Sequence, residues 1–93
     1  MLTLPAVLTH DAAAQFTPGL RQAMLSQPAD VVADASALRD FDSSALAVLL
    51  ACRREALAAG KAFSVLGLPA RLRQLAGLYG VAELIPVSAA AAA

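Results

Sequence analysis

Residues 34–50 read DASALRDFDSSALAVLL, and the junction they make decides the reading of the fold. Behind the junction, Asp30-Val31-Val32-Ala33-Asp34 is short, β-branched and flanked by turn formers, which predicts a strand buried on both faces. Ahead of it, Asp42-Ser43-Ser44 opens the longest helix, expected to reach about Ala59, with Gly60 in the C′ position where a left-handed residue is wanted. The pattern then repeats. Residues 61–66, KAFSVL, read as another buried strand, and Gly67-Leu68-Pro69 turns the chain into a helix, ARLRQLAGLY, with Pro69 at its first position and Gly80 as its stop. Strands alternating with helices argue for parallel βαβ units and therefore for an α/β fold.

The flanks are less sharply written. Leu2, Leu4, Val7 and Leu8 around Pro5 suggest an extended edge segment, because proline lacks the donor that an inner strand needs. From Asp11, read as an N-cap, Phe16, Leu20 and Met24 recur at helical spacing, so one helix is expected despite Pro18 and Gly19 in its middle. Residues 81–87, VAELIPV, have room for one helical turn and a short terminal strand. Ser88 and the five alanines after it carry no turn, charge or packing pattern and are expected to form a frayed tail. The whole reads as a single small domain: a mixed or parallel sheet of about four strands with helices packed on it.

Bulk properties exclude several functions. Seven basic residues balance seven acidic ones among 93, so no net field gathers nucleic acid. Mean hydropathy is +0.66, yet the longest unbroken apolar run, residues 45–52, is far short of the roughly 20 residues that span a bilayer. The first basic residue is Arg21 and no leader pattern precedes it, so a cytosolic location is expected. The lone Cys52 reads as a small buried hydrophobe, and neither GxxxxGK nor GxGxxG occurs, so no cofactor or metal is expected. His10 has no cysteine or carboxylate at a recognisable spacing, and no nucleophile, base and orienting group assemble into an enzyme.

At 100° per residue, the long helix puts Leu46, Leu49, Leu50 and Leu57 on one side, with Ala45, Cys52 and Ala56 beside them, as the stripe facing the sheet. The opposite side carries Ser44, Ala47, Val48, Ala51, Arg54 and Glu55. Alanine there is a good helix former in an alanine-rich chain, and it also leaves a flat surface that a partner could approach closely. The serine pair has the same two readings. Asp and Ser at a helix start satisfy orphan amides, a role worth about 1 kcal/mol, and a hydroxyl above those amides also welcomes a phosphate or a partner's carboxylate.

The strand ending Asp34-Ala35-Ser36, followed by a turn and Phe41-Asp42-Ser43-Ser44-Ala45-Leu46, resembles the STAS domain, whose anti-sigma-factor antagonists carry Asp-Ser-Ser-Gly-Leu at the comparable place. Ala45 stands where those antagonists usually have glycine. In the second half, Leu68-Pro69-Ala70, Leu72, Leu75-Ala76-Gly77-Leu78-Tyr79-Gly80-Val81 and Leu84-Ile85-Pro86 are similar to the MlaB-like STAS component of the Mla phospholipid-transport system. The resemblance implies a STAS domain over residues 1–88, with residues 89–93 as the tail.

It also implies a function. The chain would be a non-catalytic cytoplasmic subunit, peripheral to the inner membrane, that binds the ATPase of an ABC transporter with its permease and supports phospholipid trafficking and outer-membrane lipid asymmetry. Ser43 takes the place of the hydroxyl residue phosphorylated in sigma-pathway relatives, and an antagonist switched at Ser43 is the alternative. Asp42 would cap the helix and orient the docking surface, Ser44, Ala47 and Ala51 would extend it, and Arg39 and Asp40 would lie on its rim. The exposed apolar helix could equally pair with a second copy when no partner is present.

Overall fold

The strand read from Asp30 onward forms where its composition puts it, and the computed structural model, which describes residues 1–87, makes it the middle of a parallel sheet. β1 (Leu2–Thr3) and β3 (Asp30–Asp34) pair with Leu2 opposite Ala33, and β3 pairs with β5 (Ala62–Leu66) along its whole length, Val31 opposite Phe63 and Ala33 opposite Val65. The fourth strand expected near the C-terminus is a single parallel bridge of Val65 with Val87, carried by the Val65 amide donating to the Pro86 carbonyl at 2.8 Å. A second, smaller ladder joins β2 (Val7–Leu8) to β4 (Asp40–Phe41), also in parallel.

Between the strands lie α1 (His10–Phe16), α2 (Leu20–Leu25), α3 (Ser44–Ala58) and α4 (Ala70–Leu78). Gly60 follows α3 at φ +73°, the left-handed residue expected there, whereas Pro69 precedes α4 as its N-cap instead of serving as its first residue. The single helix expected over the first crossover is broken. Pro18 brings no amide, and Thr17–Gly19 tighten into a 3₁₀ turn between α1 and α2, with the Thr17 hydroxyl donating to the Ala13 carbonyl at 2.8 Å. Asp11 is not the cap of α1 but lies in its first turn.

Helix α3 is the hub, in contact with β5 and with α1, α2 and α4. This corrects two expectations. β3 is not buried on both faces: Val31 and Ala33 are fully covered while Val32 and Asp34 are half-exposed, and β5 repeats the alternation. Such alternation is what a sheet covered mainly on one side produces. Around α3 itself, burial extends beyond the expected stripe to Val48 and Ala51, which α1 helps to cover, while Leu57, expected inside, is 49% exposed. Cys52 is fully buried, and burial pushes its thiol up to about 12, so it behaves as the hydrophobe read from sequence.

Lys61 closes α2. Its ammonium donates to the carbonyls of Met24 at 2.7 Å, of Leu25 at 3.3 Å and of Gln27. A cation there satisfies carbonyls left free at a helix C-terminus and ties α2 to the start of β5.

Candidate functional site

The Asp42 carboxylate is the centre of the site. One oxygen, Oδ1, accepts the Ser44 amide at 2.8 Å and so caps α3; the other, Oδ2, accepts the His10 amide at 3.2 Å and so caps α1. One side chain thus serves two helix starts, at the positive end of each dipole. The Ser44 amide, followed by the Ser44 hydroxyl, holds the Asp42 carboxyl below its ordinary pKa, with smaller help from His10. Because Asp42 does the capping, Ser43 does not: its side chain makes no capping bond, and the residue is exposed at the mouth of α3.

Placing Asp42 is the task of β4. The Ala6 carbonyl accepts the amides of both Arg39, at 2.8 Å, and Asp40, at 3.0 Å, and Phe41 packs half-buried against the core. The guanidinium of Arg71 in α4 lies 5.0 Å from the centroid of the Phe41 ring. The preceding turn is also fastened. Asp34 Oδ1 accepts the Ser36 hydroxyl at 2.6 Å and the Ser36 amide at 3.0 Å, bonds that keep the Asp34 carboxyl below its ordinary pKa, the hydroxyl contributing most. Gly67, at φ +68°, presses against Ser36 so closely that a Cβ on it would sit 2.8 Å from that of Ser36.

A shallow groove of about 310 Å³ lies between α1 and α3, with His10 and Ser44, the two residues capped by Asp42, among its lining. Ser44, Ala47, Val48 and Ala51 form one wall, Ala13, Ala14 and Thr17 the other, with His10 and Arg54 also lining it. The structure therefore brings together Ser44, Ala47 and Ala51, with Asp42 bonded to His10 beside them and Ser43 next in the chain. Ala51 is only 9% exposed and contributes floor, while Ala47 is exposed. Arg39 and Asp40 are exposed but do not line the groove. Sequence reasoning missed the contribution of α1. The only trace of it in the sequence is that residues 12–14 are all alanine, small enough for a groove wall, which periodicity alone does not distinguish from helix filler.

An α/β domain with a parallel sheet, a central helix and an exposed serine at that helix's start, beside an aspartate cap, is a STAS-type module. The chain belongs to the family described as "Mlab, STAS domain", whose model matches residues 1–86. Comparison with curated proteins found no match. STAS domains are generally non-catalytic modules with regulatory or transport-associated roles. The expected tail, residues 89–93 with Ser88 before it, lies outside the described residues. Among the described residues no helix is long and apolar enough to cross a membrane, and no group of three or more His, Cys, Asp or Glu side chains could hold a metal ion.

Proposed function

We propose that this chain is the non-catalytic STAS subunit of an inner-membrane ABC transporter for phospholipid, docking on the cytoplasmic ATPase through the start of α3 and supporting its activity. Membership of the Mlab STAS family supports the transporter branch. The observation that carries the docking face is the division of labour at the α3 start: Asp42 meets the backbone's needs and leaves the exposed Ser43 free of any capping bond, beside a groove to which both helices contribute alanines, Ala13 and Ala14 from α1 and Ala47 and Ala51 from α3. In this reading Ser43 and Ala47 meet the partner, Ser44 and Ala51 shape the surface beneath, and Arg39 and Asp40 form its rim. The partner is the ATPase together with its permease, and the protein stays peripheral to the membrane.

The test is an affinity pull-down of the tagged protein from membranes and cytosol of its native host, with Ser43→Asp and Ala47→Arg alongside. Recovery of an ABC ATPase and its permease, lost in both variants, is the expected result. Recovery unchanged in both variants would displace the docking face. The same free hydroxyl could also accept a phosphoryl group of nearly −2 charge that would break a complex by repulsion and desolvation. Recovery of a soluble kinase, with a phosphatase-sensitive mass increase abolished by Ser43→Ala, would make the chain a phosphorylation-controlled antagonist instead.

A further inference from the structure

The peptide that delivers Asp42 is held on one side by very little. β4 is two residues long and pairs only with the two residues of β2, and so short a ladder contributes little rigidity. Arg71, in the first turn of α4, also reaches this strand. The Arg71 guanidinium lies over the Phe41 ring at 5.0 Å, and its Nη2 is 3.5 Å from the Phe41 carbonyl oxygen, a long and weak bond. Arg71 is itself exposed, so its stem fills no gap in the core, and its contacts are with the residue immediately before Asp42. A planar guanidinium can lie on a ring and reach a carbonyl at the same time, which an ammonium cannot do equally well.

We infer that Arg71 is a positioning residue for the docking face: by holding Phe41 from the α4 side, it fixes where Asp42 meets the starts of α1 and α3 and hence how Ser43 is presented. The inference rests on the docking reading for its functional meaning, but its geometric content does not depend on any partner. It also gives α4, which has no residue in the groove, a part in shaping the surface.

The experiment compares the full chain with Arg71→Gln and Arg71→Lys by amide hydrogen exchange, reading His10 and Ser44 against the core amides of Val31 and Val65. An exposed cation–π contact corresponds to about a two- to fivefold change in a local opening equilibrium. Exchange at His10 and Ser44 should therefore rise by about that factor in Arg71→Gln, with Arg71→Lys between it and the parent and the core amides unchanged. Unchanged exchange at His10 and Ser44, or a rise shared equally by the core amides, would overturn the inference. The second arm measures affinity for the ATPase recovered in the pull-down, which should fall by a similar factor. If exchange changes as expected and affinity does not, the positioning role stands and it is the docking reading that fails.

Discussion

Two charged side chains, Lys61 and Asp42, close three helix ends in this domain, and they differ in how exposed they are. At the C-terminus of α2, Lys61 is half-buried and spends its ammonium on three backbone carbonyls. At the starts of α1 and α3, Asp42 is exposed and spends its two carboxylate oxygens on two amides. The same kind of bond has different weight in the two places. Removing a charged group from part-buried carbonyls, as those of Met24 and Gln27 are, leaves them poorly paired, whereas water replaces an exposed cap at low cost. The lysine end is therefore built to hold and the aspartate end to present.

The largest effect should come from breaking the half-buried lysine end. Lys61→Met keeps the stem and removes the ammonium, and should lower the unfolding free energy by about 2 kcal/mol, the scale of hydrogen bonds to a charged group. Denaturant melts of the variant and parent would measure it, and midpoints that coincide would show that the three carbonyls find other partners. Next comes Gly67→Ala, which forces a side chain into a left-handed backbone and against Ser36; a loss of about 1–2 kcal/mol is expected, with a smaller loss when Ser36 is also made glycine.

Asp42→Ala should lower the melting temperature by less than Lys61→Met while increasing amide exchange at His10 and Ser44 together. A rise at Ser44 alone would mean that the bond to α1 is not formed in solution. Asp42→Asn, which keeps an acceptor, should recover part of the difference. Acid should imitate the alanine variant. Because the folded carboxyl titrates below its ordinary value of about 3.9, its contribution is complete above that pH and disappears as pH falls through the lower folded value. Exchange at His10 and Ser44 followed down through pH 4 would show this. The smallest effect belongs to Ser43→Ala, which should leave stability within about 0.5 kcal/mol of the parent because the hydroxyl caps nothing.

The same contrast explains which features could be read from sequence. β3, α3, β5 and α4 are written in local terms: a β-branched run, an apolar helical period, a glycine stop and a proline start. The pairing of β2 with β4 is not, because two residues carry no period and their partner lies in another part of the chain. Asp11 does not cap α1 for a related reason: the carboxylate that performs the role is 32 residues away from His10. The role of Lys61 is not written in the sequence, where one lysine at a strand start looks like any solvated charge. The faces of α3 were legible only as far as the sheet decides them. Val48 and Ala51 lie on the side away from the leucine stripe, and it is the approach of α1 that turns them inward. Of the site, Asp42, Ser43 and Ser44 could be picked out from their place at a helix start, while the opposing wall needed the fold.

Because every named strand pairs in parallel, each pairing joins residues about thirty positions apart, as Leu2 with Ala33, Val7 with Asp40 and Asp30 with Ala62. No hairpin exists among the described residues to seed the sheet early, so loop closure must come before any strand pairing repays it. During synthesis β3 can find β1, but its other edge stays open until α3 has formed and β5 has emerged. That interval, with an apolar edge uncovered, is when the nascent domain is most exposed to aggregation.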